Sequence, residues 1–213
     1  MEIEYDFSNK FNLKKEASRR KLTKHISKNG TICYFIDKSQ YPLKERQMLL
    51  AFQFHSIYAP INNRDYAYFI EEQGIVPHKN FTDFYKKYNG LNLFSGTFCI
   101  YGFGRIFEDG HYLLSRDPDS DIYLPYHLYD HTETYLKNGI ARTGSLCDAP
   151  IMYDNNTGKL SCVTDKKSFE WDNFFDCIEE VYKILDDKYL DNGFAKKPTI
   201  LDDIYVFNDT KEL

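Results

Sequence analysis

The strongest constraint in this sequence is the run at residues 80–105, NFTDFYKKYNGLNLFSGTFCIYGFGR, which predicts a helix, a glycine stop and then a buried strand. Four apolar residues follow the i, i+3, i+4, i+7 spacing of one helix face: Phe81, Phe84, Tyr85 and Tyr88. Asn80 and Asp83 stand where a capping box would begin the helix. Asn89 and Gly90 then end it, because both residues tolerate the left-handed backbone conformation.

Other segments on both sides of this run predict further helices and strands. Patterns typical of strands occur at Thr31–Ile36, at Phe98–Tyr101 and on both sides of the turn Asp154–Gly158 in the hairpin Ile151–Val163. Helical composition or periodicity occurs at Leu43–Tyr58, Asp65–Ile70 and Ser168–Leu185. The last of these carries an apolar stripe that we expect to pack on a sheet. Residues 108–150 predict long loops with one or two short strands or a helical turn, and Ile204–Phe207 predicts an edge strand or a cover for the core.

The first 25 residues contain a basic cluster around three apolar residues, Phe7, Phe11 and Leu13. The cations are Lys10, Lys14, Lys15, Arg19, Arg20, Lys21 and Lys24. The pattern predicts a helix, either with a solvated basic face or as an amphipathic helix that meets an anionic partner.

The order of these elements resembles the SUKH superfamily, which includes bacterial immunity proteins against polymorphic toxins and fungal regulators of cell-wall synthesis. The matching elements are a first helix at Asn63–Gln73, the loop Ile75–Pro77, the helix ending in Asn89-Gly90, the strand at Phe98, the hairpin Ile151–Val163 and the closing helix Ser168–Leu185. The resemblance covers about residues 60–187 and implies an N-terminal extension at 1–59 and a C-terminal extension at 188–213. It implies an α+β fold with a mixed or mainly antiparallel sheet and helices packed on one side.

The composition fits one sizeable domain with extensions, since 213 residues with 17% aromatic content supply ample core material. Without a run of about 18 apolar residues or a signal-like N-terminus, we expect a soluble, cytoplasmic protein. The net charge of -5 argues against direct nucleic-acid binding, which depends on neutralising phosphates, and is compatible with a basic protein partner.

Several motifs that imitate catalytic or metal sites are incomplete. The five scattered cysteines form no Cys-x-x-Cys pair, so we expect reduced, buried thiols. The segment DPDSD starts like a calcium loop but lacks its glycine and its final glutamate, and His127 and His131 lack the rest of a zinc motif. Gly102-x-Gly104 lacks a third glycine, and Gly144-Ser145 lacks the flanks of a nucleophile turn. We therefore predict no catalytic residue, no metal and no cofactor.

The resemblance implies a non-catalytic immunity-type protein that binds and neutralises a toxin domain, often a nuclease and commonly basic. An acidic inhibitor would be steered towards such a partner. The predicted contact residues lie in the irregular acidic segment: Glu108, Asp109, Asp117, Asp119, Asp121, Tyr123 and Tyr126. Two alternatives stay open, namely an intracellular regulatory or scaffold module with the same fold, and an enzyme acting on a small molecule or nucleotide.

Overall fold

The computed structural model describes residues 6–8, 11–12, 17–26, 30–36, 53–60, 63–74, 76–102, 139–191 and 196. Nine strands in this part of the chain form one antiparallel sheet. Their bounds are β3 Thr23–Ile26, β4 Ile32–Phe35, β5 Gln53–Ile57, β6 Leu91–Leu93, β7 Phe98–Ile100, β8 Ile140–Leu146, β9 Ala149–Asp154, β10 Leu160–Val163 and β11 Ser168–Trp171. Every strand pairs with its neighbours in sequence, so the sheet is a meander. A separate two-stranded ladder joins β1, Asp6–Ser8, to β2, Phe11–Asn12.

Three helices accompany the sheet in the described residues: α1 at Asn63–Gln73, α2 at Lys79–Tyr85 and α3 at Phe174–Asp186. Both α2 and α3 contact the same face of the sheet, since Phe81 and Phe174 each place a ring beside Tyr153 of β9, at 5.4 and 5.5 Å between centroids. The helix α1 reaches α2, where Tyr66 Oη lies 3.2 Å from Thr82 Oγ1. The fold is therefore α+β, with an antiparallel sheet and helices on one face, as expected from the sequence.

The β9–β11 part of the sheet shows why alternating side chains form strands. Burial alternates along β11, where Phe169 and Trp171 are buried and Ser168 and Glu170 are exposed. The register pairs Leu160 of β10 with Trp171 on one side and with Tyr153 on the other. Apolar side chains therefore line up across neighbouring strands under the helices, and a shift by one residue would expose them.

Gly90 marks the place where the chain leaves α2 and enters β6. Its φ is +84°, and a Cβ built on it would lie 2.5 Å from the carbonyl oxygen of Ile100. The prediction that Asn89 and Gly90 end the helix is wrong, because the helix ends at Tyr85 with Lys86 as its C-cap, and the positive φ of Gly90 instead serves the turn into β6. The N-terminal capping prediction is wrong: His78 is the N-cap of α2, and the amide of Asn80 donates to its Nδ1. The Asn80 side chain instead donates to the carbonyl oxygens of Gly158 and Asp172.

Three further predictions of secondary structure are corrected. The predicted helix Leu43–Tyr58 contains β5 in its last part, because Phe54, His55, Ser56 and Ile57 are all buried and show no alternation. The predicted helix Ser168–Leu185 begins only at Phe174, and its first four residues form β11. In the predicted N-terminal helix, the described residues form strands β1, β2 and β3 and one helical turn at 17–19.

Strands predicted at Thr31–Ile36 and in the hairpin Ile151–Val163 are confirmed as β4 and as β9 with β10. Three strands of the large sheet, β3 to β5, come from residues assigned to the N-terminal extension. The expected edge strand at Ile204–Phe207 lies outside the described residues. Among the helices that the structure describes, none has the length and apolar character needed to cross a membrane.

Candidate functional site

The last helix, α3, owes its position to a continuous apolar stripe. Six of its residues are buried: Phe174, Cys177, Ile178, Val181, Tyr182 and Leu185. Asn173 begins the helix, since its side-chain oxygen accepts hydrogen bonds from the amides of Phe175 and Asp176, at 2.9 and 3.0 Å. This N-cap satisfies two backbone donors that have no partner inside the helix. The helix is thereby fixed with one side against the sheet and the other towards solvent.

The solvent side of α3 is acidic. Four exposed carboxylates, here called the acidic face, lie along it: Asp172, Asp176, Glu180 and Asp187. Asp176, Glu180 and the C-cap Asp187 are four and seven residues apart, which places them on one side of a helix that is about 20 Å long, whereas Asp172 precedes the N-cap Asn173 and lies 3.5 Å from Lys159 Nζ. Lys183 lies on the same side and is paired with Glu179 at 2.6 Å. The acidic face therefore presents a row of negative charge to solvent.

Hydrogen bonds from neighbouring residues hold these carboxylates in place. The indole nitrogen of Trp171 donates to Glu180 at 2.9 Å, and the side-chain amide of Asn173 donates to Asp176 at 2.7 Å. Asp176 and Glu180 are four residues apart, a spacing at which like charges destabilise an isolated helix by about 0.2 to 0.5 kcal/mol. The helix keeps this unfavourable pair and also orders both side chains, which lowers the entropy cost of binding a cation there.

Two adjacent arginines bind the C-terminal end of α3. Arg20 is buried and donates to the carbonyl oxygens of Asp186 and Leu190 and to the Asp186 carboxylate. Arg19 is partly exposed and forms ion pairs with Asp186 at 2.6 Å and with Asp191 at 3.2 Å. Helix C-termini carry partial negative charge, so the two guanidinium groups stabilise this end of the helix. Residues 17–20 are thus attached to α3 by side-chain contacts.

An aromatic cluster lies beneath these arginines. We call it the His55 cluster, and it consists of Phe54, His55, Phe94, Tyr182 and Tyr189. The Phe94 ring stacks on Tyr189 with centroids 4.9 Å apart, and the Arg20 guanidinium carbon lies 5.5 Å from the Phe54 centroid. The cluster packs the β5 and β6 ends of the sheet against the C-terminal end of α3.

The backbone of Phe94 is strained at the centre of this cluster. Its φ is +53°, which is rare for a bulky residue, and Ser95 follows with φ +54°. The Phe94 amide donates to His55 Nδ1 at 3.3 Å, and the Phe94 carbonyl accepts from the Tyr189 hydroxyl at 3.2 Å. Because Nδ1 accepts a hydrogen bond, His55 carries its proton on Nε2. Nε2 is buried and has no hydrogen-bond partner in the part of the chain that the structure describes.

The imidazole of His55 is held in its neutral form. Burial of the ring is the main cause, and the Arg20 guanidinium adds repulsion, so the pKa of His55 lies well below its ordinary value of 6.5. His55 lies in β5, within the segment Leu43–Tyr58 for which the sequence predicts a helix. The burial of Arg20 carried no sequence signal, since Arg20 stands in a row of similar cations.

The residues predicted to contact a partner all lie outside the described residues. They are Glu108, Asp109, Asp117, Asp119, Asp121, Tyr123 and Tyr126. The calcium-like segment DPDSD and the pair His127 and His131 lie there too. Within the described ranges, no group of three or more His, Cys, Asp or Glu side chains has the arrangement of a metal site.

The remaining motifs of the sequence are placed in the core. All five cysteines are free and buried, and burial raises the pKa of Cys33, Cys99 and Cys147 to about 12 and that of Cys162 to about 11. The expectation that most of the thiols are buried is confirmed. Ser145 lies inside β8, in register with Cys99, rather than at a strand-to-helix turn.

Comparison with protein-family models, with curated proteins and with solved structures finds no match for this chain.

Proposed function

We propose that this protein is a non-catalytic, SUKH-like immunity protein that binds and neutralises a basic toxin domain. The order of its elements supports the proposal: α1, the loop with Pro77, α2 with Asn89-Gly90, the central strands, the β9–β10 hairpin and α3 follow one another as in the resemblance. The acidic face of α3 is the single observation that carries the choice of a basic partner. Its carboxylates are exposed, aligned and partly ordered before any partner arrives.

Such a surface would raise the rate at which a basic partner associates and would favour basic partners over acidic ones. A row of negative charge attracts a basic domain over distances up to the Debye length, about 8 Å at physiological salt, and raises the association rate. A toxin that binds nucleic acid presents cations arranged for phosphates, and carboxylates on a helix can occupy the same positions. The acidic loop predicted from the sequence would extend this surface or form a second one.

Affinity capture of the tagged chain from its source organism, followed by reconstitution with the purified partner, tests the proposal. We expect one stoichiometric basic partner whose toxic activity is abolished at a ratio of one to one. A spread of weak partners, or a captured protein whose activity is unchanged by saturating amounts of this chain, would contradict the immunity role and favour the regulatory module.

Three triple variants of equal charge change then locate the surface. One neutralises α3 by Asp172→Asn, Asp176→Asn and Glu180→Gln, and a second neutralises the predicted loop by Asp117→Asn, Asp119→Asn and Asp121→Asn. The control changes exposed carboxylates on other elements by Glu71→Gln, Asp148→Asn and Asp165→Asn. We expect the α3 variant to associate about tenfold more slowly at low salt, with a smaller effect of the control. Equal association rates for the α3 variant and the control would remove the acidic face from the interface.

A further inference from the structure

Two groups of aromatic rings pack α2 and α3 against the sheet. One surrounds Phe174 at the N-terminal end of α3 and includes Phe81, Phe84 and Tyr153. The other is the His55 cluster at the C-terminal end of α3. Of the ring contacts observed among the described residues, none joins a ring of the first group to a ring of the second. Both groups of rings belong to one hydrophobic core, but the His55 cluster packs the C-terminal end of α3, so loss of that cluster acts first on this end.

The His55 cluster contains one hydrogen bond that acid would remove. His55 Nδ1 accepts the amide proton of Phe94, whose left-handed backbone is unfavourable for a phenylalanine. A proton on Nδ1 turns this acceptor into a donor, so two N–H groups would then point at one another. The strained turn would lose its partner, and the ring of Phe94 carries the contacts to Tyr182 and Tyr189.

Among the described residues, the groups that face His55 offer no compensation for a second cation. The segment 17–20 contributes Arg20, which is buried and positively charged. The helix α3 contributes Tyr182 and Asp186, and the Asp186 carboxylate is already bonded to Arg19, Arg20 and the Tyr182 hydroxyl. Strand β4 contributes Tyr34, in register with His55, and the segment after α3 contributes Tyr189. Tyrosine hydroxyls are uncharged at neutral and mildly acidic pH.

We propose that His55, Phe94 and Arg20 form an acid-sensitive latch that releases the C-terminal end of α3 and the segment 17–20 when His55 is protonated. In the closed state His55 stays neutral, whereas in the open state it reaches water and binds a proton near pH 6.5. The open state therefore binds more protons, and opening becomes more favourable as the pH falls below 6.5. This latch is independent of the proposed toxin binding, because it is a property of the isolated chain.

Amide hydrogen exchange of the purified protein at pH 7.5 and 5.5, corrected for the intrinsic chemical rate, tests the latch. We expect the opening constant of residues 94–97 and 182–191 to rise about tenfold between these pH values, as one proton binds only to the open state. The β9–β10 hairpin, residues 151–163, is the internal reference and should change little. Equal changes in both regions would mean global acid unfolding and would overturn the proposal, as would no change in either.

A matched pair of variants identifies the titrating group. His55→Asn keeps an acceptor near the position of Nδ1 without a titratable ring, and we expect the pH dependence of residues 94–97 to disappear. His25→Asn removes an exposed histidine of β3 and should leave the dependence intact. A tenfold change that persists in His55→Asn would overturn the assignment. If that variant does not fold, the regional comparison within the natural sequence still decides between local and global opening.

Discussion

Replacing Arg20 by Met should destabilise the protein much more than replacing Arg19 by Met, although both guanidinium groups bond the same carboxylate of Asp186. The two residues are neighbours in sequence and carry the same charge, so the pair is a natural control for burial. The Arg19 side chain is 42% exposed, whereas that of Arg20 is 0% exposed. The prediction therefore isolates what the buried position adds to an ion pair.

The expected magnitudes follow from the contacts. An exposed ion pair such as that of Arg19 contributes about 0 to 1 kcal/mol. Loss of Arg20 leaves the partly buried carbonyl oxygens of Asp186 and Leu190 without this donor, where a fully buried acceptor without a partner would cost about 1 to 3 kcal/mol. Both acceptors lie at the edge of the core, so we take the lower part of that range and add about 1 kcal/mol for the lost contact with Phe54. Arg20→Met should thus cost about 3 kcal/mol.

Urea unfolding followed by the fluorescence of the single tryptophan, Trp171, measures both variants, because this side chain is 3% exposed in the folded protein. With a slope of about 2 to 3 kcal/mol per molar urea, the midpoint should fall by about 1 M or more for Arg20→Met and by less than about 0.5 M for Arg19→Met. Equal shifts, or a cost below about 1 kcal/mol for Arg20→Met, would refute the view that Arg20 caps α3.

Two other predictions concern the core. Gly90→Ala should lower the free energy of unfolding by about 2 to 5 kcal/mol in urea unfolding, because the new Cβ clashes with the Ile100 carbonyl and the positive φ strains an alanine. Gly74 has a φ of +59° and open space around it, so Gly74→Ala should lower the free energy of unfolding by only about 1 to 2 kcal/mol. Similar losses in the free energy of unfolding for the two variants would show that β6 and β7 can shift apart at this contact at little cost. The five cysteines should react with iodoacetamide at pH 8 far more slowly in the folded than in the urea-unfolded protein, because burial raises the pKa of each thiol. Mass spectrometry measures the labelling, and rapid labelling of the folded protein would contradict this prediction.

The sequence was sufficient to predict a helix or a strand where its apolar residues follow a single period. The helix α3 and the hairpin β9–β10 each have one buried and one wet side, so their periods of 3.6 and 2 are visible in the residues. The sequence predicts a helix at β5 instead of a strand, because both faces of this strand are buried and its residues do not alternate between buried and exposed. Strand β11 was joined to α3 because Trp171 fits the apolar stripe of a helix as well as that of a strand.

The candidate sites were less predictable than the fold. The ordering of the acidic face by Trp171 and Asn173 depends on local geometry that the sequence does not display. The burial of Arg20 depends on Asp186, which lies 166 residues further along the chain. Neighbouring cations in a basic cluster cannot be distinguished in the sequence, and the packing of α3 determines which of them is buried.

The meander has a consequence for how such a chain can diversify. Strands β7 and β8 are hydrogen-bonded neighbours, yet residues 101–139 separate them in sequence. The entropy cost of closing such a connection grows only with the logarithm of its length, by about 0.6 kcal/mol for each doubling. A change in the length of this connection by itself should therefore cost the sheet little, so insertions and deletions between β7 and β8 are compatible with the pairing of these two strands.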